Sequence, residues 1–200
     1  ETTPRQSEVH LLAEEIRAKI AEADQNPDNF QFQRDLGLAL YRYAAMKKDF
    51  DLLNDSIIIL ERASNLNRAD ADLLVSLGHA HFVVAYFAKK SGEFEKARQY
   101  YQKVIAIRPD DFDTRTEIGL TFFLQEPPDL KAAIKEFETS LRGNPKHQKT
   151  LQFLTQALWK DSRSDEAAKY LEQLRQIDPK NPAIPDLNSL LTQPVPAKQQ

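Results

Sequence analysis

The chain has 200 residues, of which 41% are apolar and 28% are charged, and its net charge is -3. This composition is typical of one soluble folded unit, and the slight acidity argues against a protein that binds nucleic acid or a membrane surface through a basic excess. Cysteine is absent, which excludes disulfides, thiolate metal sites and cysteine nucleophiles. The longest apolar run, residues 82–88, is about a third of the length of a transmembrane helix, so we expect no direct membrane insertion of this segment.

The first predicted element is a helix over residues 4–25. Thr3-Pro4-Arg5-Gln6 is typical of a helix start, with Pro at the first helical position and Gln at the capping-box position. Apolar residues then follow at helical steps, namely Val9, Leu12, Ile16, Ile20 and Ala23. Because this segment has one apolar stripe and no helix before it, we expect it to dock on the next element as an N-terminal cap.

Four copies of one pattern follow over residues 26–181. Each copy has a predicted first helix with a Leu/Ile-Gly pair or its substitute, then a second helix with a small residue and a large apolar residue four positions later. The best copies of the second part end in proline, and they are Ala97–Tyr101–Pro109, Ala133–Phe137–Pro145 and Ala167–Leu171–Pro179. The spacing predicts four helix hairpins, at residues 30–70, 71–111, 112–147 and 148–181.

On these residues the chain resembles the tetratricopeptide repeat family over roughly Phe30 to Asp178. The resemblance implies an all-α, right-handed superhelical solenoid of antiparallel helix hairpins that binds proteins. The chain departs from the family at the usual Trp position, which is Gln33 in the first repeat and Arg115 in the third. The first two repeats also carry about seven extra residues, close to two helical turns, so we expect their ends near residues 43–49 and 84–91 to project beyond the hairpin edge.

The last predicted elements are a short C-terminal capping helix and a tail. Apolar residues that recur at helical steps indicate the helix over residues 182–192, and they are Ile184, Leu187, Leu190 and Leu191. Residues 193–200 are polar and contain proline, so we expect a disordered tail there.

In the family, a second stripe on each first helix lines a concave groove that receives ligands. One position of this stripe is aromatic in every repeat of this chain, as Tyr41, Phe82, Phe123 and Trp159, and aromatic side chains dominate binding hot spots. An alternative is that these rings only pack between neighbouring helices. The candidate partner-binding residues on and beside the stripe are Arg34, Leu38, Tyr41, Arg42, Asp72, Val75, His79, Phe82, Asp113, Thr116, Leu120, Phe123, Lys149, Gln152, Gln156 and Trp159.

The sequence contains no phosphate-binding loop, no nucleophile elbow and no HExxH zinc helix. His81 occupies a predicted core position, where a packed histidine is commoner than a ligand. We therefore predict a protein that is not an enzyme and has no catalytic residue, no metal site and no cofactor.

The predicted function is that of a scaffold or adaptor that binds a peptide or helix of a partner protein in the groove. Family members that hold a C-terminal carboxylate do so with basic residues, whereas Asp113 and Glu117 would repel such a terminus here. We expect a monomer or weak homo-oligomer.

An alternative is a structural or assembly factor that self-associates through the projecting ends near Tyr43, Met46, Tyr86 and Phe87. Analogy within the family adds the bacterial cell envelope as one setting. Because the chain begins at Glu1 rather than Met, we expect a processed or cut product of a longer chain, and a signal peptide or membrane tether could precede it. Both the cytoplasm and the periplasm stay open as compartments.

Overall fold

The structure is a computed structural model that describes residues 4–194, with side chains from residue 13 onward. Within this range it is all-helical and has no strand. The predictions for residues 195–200, for Thr3, and for the side chains of Pro4, Arg5, Gln6, Val9 and Leu12 lie outside what it describes. The ten helices of the described range are α1 (Pro4–Gln25), α2 (Phe30–Lys47), α3 (Phe50–Leu66), α4 (Ala71–Phe87), α5 (Gly92–Ile107), α6 (Phe112–Leu124), α7 (Leu130–Gly143), α8 (Gln148–Lys160), α9 (Ser164–Ile177) and α10 (Ile184–Leu191).

The helices pack as adjacent pairs. Helix α2 pairs with α3, α4 with α5, α6 with α7, and α8 with α9, while α1 contacts α2 and α10 contacts α8 and α9. The second helix of each pair also contacts the first helix of the next pair. The predicted fold class, an all-α solenoid of helix hairpins, is confirmed.

Side-chain caps define where many of these helices begin. Asp70 and Asp111, which flank predicted helix starts, accept hydrogen bonds from the backbone N–H groups of Leu73 and Thr114 at 3.0 and 2.9 Å. Asp49 caps α3 in the same way through the N–H group of Leu52. A carboxylate at this position satisfies an otherwise unpaired N–H group and complements the helix dipole.

A small residue on the first helix meets a large one on the second in each of the first three hairpins. A Cβ placed on Gly37 would fall 2.7 Å from Leu60 Cδ2, and one placed on Gly119 would fall 2.5 Å from Phe137 Cε1. The absence of a side chain thus lets the two helices approach until the larger residue fills the space between them. Leu60 and Phe137 are both fully buried.

The first two hairpins are longer than the last two. Helices α2 and α4 have 18 and 17 residues, whereas α6 and α8 have 13 each. Four or five more residues at 1.5 Å each extend the first helix by roughly 6–7 Å, about one turn. No helix in residues 4–194 is both long and apolar enough to cross a membrane.

Candidate functional site

The first helices of the four hairpins lie side by side. Helix α2 contacts α4, α4 contacts α6, and α6 contacts α8. We call the surface along these four helices that carries the predicted partner-binding residues the groove. Burial raises the pKa of Tyr41 on α2, and the charge of Glu117 on α6 raises it further.

The four aromatic residues of the predicted ladder divide into two open and two closed members. Tyr41 and Phe82 are half-buried, whereas Phe123 and Trp159 are only 4% and 9% exposed. Phe123 packs edge-on against Phe153, and the Lys160 ammonium lies 4.6 Å from the centre of its ring. The prediction that Phe123 and Trp159 are accessible anchors is therefore wrong, because both belong to the core of the C-terminal half.

Thr116 and Leu120 are also buried, at 0% and 3% exposure, so neither reaches a partner on this surface. Leu120 belongs to the same core as Phe123. The Thr116 hydroxyl lies 2.9 Å from the Ser140 hydroxyl and 2.7 Å from the Thr150 hydroxyl. This buried hydroxyl cluster joins α6, α7 and α8, so the role of Thr116 is structural rather than partner binding.

Three of the predicted charged site residues form ion pairs within the chain, and a fourth contacts a histidine. Arg34 Nε lies 2.8 Å from Asp70 Oδ2, and Lys149 on α8 pairs with Glu117 on α6. Asp72 pairs with Arg108 at 2.8 Å, and Asp113 Oδ1 lies 3.2 Å from His147 Nε2. A partner that uses these charges has to compete with an existing contact. The pair of Asp72 with Arg108, whose side chains are both exposed, stabilises the fold only weakly, by about 1 kcal/mol or less.

The other predicted site residues are accessible to different degrees. Arg42 is exposed, and the half-buried members are Leu38, Val75, His79, Gln152 and Gln156. Leu38 packs on the core of the first hairpin, and Val75 packs beside Ala71 and Val104. The accessible part of the candidate site thus lies mainly on α2, α4 and α8.

His79 on α4 is influenced by both burial and nearby charges. Burial lowers the pKa of the His79 imidazole below its usual 6.5, while Glu117 raises it and Lys149 lowers it further. His79 also packs edge-on against Tyr101, with ring centres 5.7 Å apart. The pKa of Tyr101 rises through burial first and the Glu117 charge second. Glu117 therefore acts on residues from three hairpins.

Glu117 is missing from the predicted site residues. From the sequence it is expected only to repel a ligand's C-terminal carboxylate. Its side chain is 17% exposed, against 44% for that of its partner Lys149. The signal that could have identified the pair is that two opposite charges lie about one repeat apart on first helices.

A hydroxyl and an imidazole at the start of α8 and a carboxylate at the start of α6 lie in contact one after another. The Thr150 hydroxyl is 2.5 Å from His147 Nδ1, and His147 Nε2 is 3.2 Å from Asp113 Oδ1. This is the order of groups in a nucleophilic triad. Thr150 is fully buried, however, and hydrogen-bonds to Thr116, so a substrate has no access to its oxygen. We interpret the arrangement as part of the buried hydroxyl cluster, with a structural role.

In the part of the chain whose side chains the structure describes, no group of three or more His, Asp or Glu residues is placed to hold a metal ion. His81, predicted to be a core residue, is 2% exposed. Its Nδ1 lies 2.6 Å from Glu93 Oε2, and its ring stacks on Tyr100 with centres 5.4 Å apart. These contacts hold His81 within the second hairpin and away from the groove.

Comparison with known proteins identifies the repeat. Residues 73–111 and residues 128–182 each match a family model described as Tetratricopeptide repeat. No curated protein sequence matches the chain.

Solved structures share the fold. MamA protein is 24% identical, with a TM-score of 0.65 over 82% of this chain and 81% of that one. MamA 41-end from Desulfovibrio magneticus RS-1 is 14% identical, with a TM-score of 0.66 over 85% and 87%. The C-terminal part of a TPR repeat-containing protein from Cytophaga hutchinsonii is 19% identical, with a TM-score of 0.63 over 86% and 65%. At these identities the likeness concerns the fold alone.

Proposed function

Because this chain belongs to the tetratricopeptide repeat family, we propose that it holds a peptide or helix of a protein partner in the groove. The family and the fold make it a protein-interaction or scaffold module. Under the proposal, residues 4–25 and 182–192 cap the two ends of the four hairpins. The partner's segment lies along α2, α4, α6 and α8.

The observation that carries the proposal is the grouping of two half-buried aromatic residues with an accessible ion pair. Tyr41 and Phe82 offer large rigid side chains that are neither fully packed nor fully solvated. Residues of this type supply much of the binding free energy at interfaces. The Glu117–Lys149 pair joins α6 and α8, the first helices of the third and fourth hairpins.

The negative charge of Glu117 favours some classes of ligand over others. The Glu117 carboxylate is close enough to influence Tyr41 and His79, so it favours a ligand that presents N–H groups or a cation. A ligand that presents its own carboxylate there would be repelled, unless it displaced Glu117 from Lys149. We propose a segment with an apolar anchor near Tyr41 and an N–H donor or cation near Glu117.

The proposal includes no catalytic step and no cofactor. The hydroxyl of Thr150, which has the partners of a nucleophile, is buried. Contact between two copies through symmetric packing of the projecting hairpin ends is disfavoured, because Lys47, Lys48, Lys89 and Lys90 would face their own copies. We therefore propose a monomer or weak homo-oligomer, which sedimentation across a concentration series tests.

The groove is tested by capture of partners from source cells with three forms of the protein. The groove variant is Tyr41→Ala with Lys149→Ala, because Phe123 is buried and its loss would perturb the fold. The control variant is Ile58→Ala with Lys131→Ala, which removes exposed side chains from α3 and α7 on the other face. We expect a protein retained by the wild type and the control but lost with the groove variant at unchanged helicity. Equal capture by all three forms contradicts the groove as the binding surface.

A further inference from the structure

The projecting ends of the first two hairpins carry exposed apolar side chains. Met46 is 70% exposed, Phe87 49% and Tyr86 42%. Lys47, Lys48, Lys89 and Lys90 are exposed beside them. We call these seven residues the tip patch.

The two hairpin ends form one continuous surface. The Lys48 ammonium, at the end of the first hairpin, lies 5.3 Å from the centre of the Phe87 ring in the second. The Lys89 ammonium lies 5.2 Å from the Tyr86 ring, and the rings of Tyr86 and Phe87 meet edge to face at 5.0 Å. Cations held over aromatic faces keep charge and apolar surface together at one site.

The tip patch is locally positive although the whole chain is acidic. Residues 42–51 and 86–92 carry five cations and two carboxylates, in a chain of net charge -3. One of the carboxylates, Asp49, accepts the hydrogen bond that caps α3, where the helix dipole offsets its charge. Glu93, the next carboxylate along the second hairpin, is bound by His81 and Lys96. At physiological salt a surface charge acts over roughly 8–10 Å, so a docking surface responds to this local excess.

The tip patch projects. It lies at the end of α2 and α4 that extends about one turn farther than the equivalent end of α6 and α8. The shorter third hairpin ends instead in exposed Glu126 and Asp129. A projecting end with exposed rings suits a broad surface that deforms around it, rather than an extended peptide, which needs a groove or a sheet edge.

We propose that the tip patch docks this protein on the surface of an anionic lipid bilayer. Met46, Tyr86 and Phe87 enter the boundary between headgroups and acyl chains, and the four lysines contact lipid phosphates. Aromatic and lysine side chains are the residue types favoured at this depth. The tip patch lies at the ends of α2 and α4 and the groove along their length, so this proposal does not rest on the proposed function. The two surfaces meet at α4, where the rings of Phe82 and Tyr86 stack with centres 6.5 Å apart.

The test is co-sedimentation of the full chain with vesicles of phosphatidylcholine alone and of phosphatidylcholine with about 30% phosphatidylglycerol. We expect the protein to sediment with the anionic vesicles and to stay in solution when mixed with the neutral ones. Salt raised towards about 1 M should release it from the anionic vesicles. Lys47→Glu with Lys90→Glu should weaken binding by more than about tenfold, since each lysine near such a surface contributes about fivefold. These two lysines are chosen because Lys48 and Lys89 have φ of 56°, a left-handed backbone conformation at which a substitution could also change stability.

Met46→Ser with Phe87→Ser tests the apolar part, and we expect a loss of about tenfold or more. The matched controls carry the same changes on other surfaces, as Lys131→Glu with Lys135→Glu on α7 and Ile58→Ser with Ile107→Ser on α3 and α5. Both controls should bind vesicles like the wild type.

Four results would overturn the proposal. They are equal binding to neutral and anionic vesicles, no binding to either, binding unchanged in Lys47→Glu with Lys90→Glu, and equal losses in the matched controls. Two further results would assign the tip patch elsewhere. Binding of polyglutamate that Met46→Ser with Phe87→Ser leaves intact would indicate an acidic protein, and a dimer that this variant dissolves would indicate a second copy.

Discussion

Gly78 on α4 lies so close to Tyr101 on α5 that a Cβ on the glycine would fall 2.3 Å from Cε1 of the ring. Tyr101 is fully buried, so its ring has no open space to move into. We predict that Gly78→Ala destabilises the protein by up to about 2 kcal/mol. Overpacking costs about 1–3 kcal/mol, and the gain of about 1 kcal/mol from replacing glycine inside a helix offsets part of it. Urea unfolding measures the difference.

Gly92→Ala is the matched control, since a Cβ at Gly92 meets no atom within 4 Å. We expect this variant to keep the stability of the wild type or to gain up to about 1 kcal/mol. Equal losses in the two variants would show that the contact with Tyr101 is not the cause.

Replacement of a buried and of a half-buried aromatic residue of the groove should lower the free energy of unfolding by different amounts. Phe123→Ala leaves a cavity in a packed core, and we predict a loss of about 3–5 kcal/mol. Tyr41→Ala removes a side chain that is only half-buried, so its loss should be at most about half as large. Thermal unfolding followed by circular dichroism at 222 nm, the helical signal, measures both. A loss at Tyr41 as large as that at Phe123 would place Tyr41 in the core as well.

The buried hydroxyl cluster gives a third prediction. Thr150→Val keeps the volume of the side chain but removes an oxygen that contacts Thr116 and His147. We expect a loss of about 1–3 kcal/mol, because buried polar groups lose a hydrogen-bond partner. Thr155→Val is the control: Thr155 is equally buried, but its hydroxyl bonds only to the Leu151 carbonyl of its own helix. That variant should lose about 1 kcal/mol or less, and the opposite order would contradict a stabilising role for the cluster.

His79 should make the fold less stable at mildly acidic pH. Burial lowers the pKa of its imidazole below 6.5, so in this range the folded protein binds fewer protons at His79 than the unfolded chain. The contribution of the neutral His79 to the free energy of unfolding is therefore fully present above about pH 6.5. It is lost as the pH drops towards the pKa of His79 in the folded protein. We predict that His79→Gln loses less stability than the wild type between about pH 7.5 and 5.5.

Urea unfolding at the two pH values measures how steeply the free energy of unfolding changes with pH. This slope does not depend on the stability that His79→Gln itself removes at neutral pH. Glu61 and Glu93 do not interfere, because their pKa values lie below 4.5. The hydrogen bond with His81 is the main cause that lowers the pKa of Glu61. At Glu93 burial raises the pKa, but the hydrogen bonds from Lys96 and His81 lower it by more. Equal slopes in the two proteins would contradict a buried neutral His79.

Much of the fold was accessible from sequence because its rules are local. The contacts of Gly78 with Tyr101 and of Gly119 with Phe137 repeat the same pairing of a small residue with a large one, so one pattern predicts several hairpins. Caps such as Asp70 and Asp111 depend on residues three positions away. Interactions over such short distances along the chain leave a periodic signal.

The candidate site was less predictable, as Phe123 illustrates. The sequence places Tyr41, Phe82, Phe123 and Trp159 at one repeat position, which treats them as equivalent. Phe123 is covered by Phe153 and by Lys160 on the next first helix. Such coverage depends on how far neighbouring helices extend and which side chains they carry, and a repeat pattern averages those differences away.

The sequence by itself determined that this is a helical repeat protein, since periodic apolar stripes and paired small and large residues specify hairpins that must stack to bury their faces. Only the tertiary structure decided which groove residues stay accessible. It buried Thr116, Leu120 and Phe123, paired Glu117 with Lys149, and gathered four lysines with Met46 and Phe87 at one end. The physical reason is that curvature and the relative lengths of packed helices arise from contacts between hairpins, which no single repeat contains.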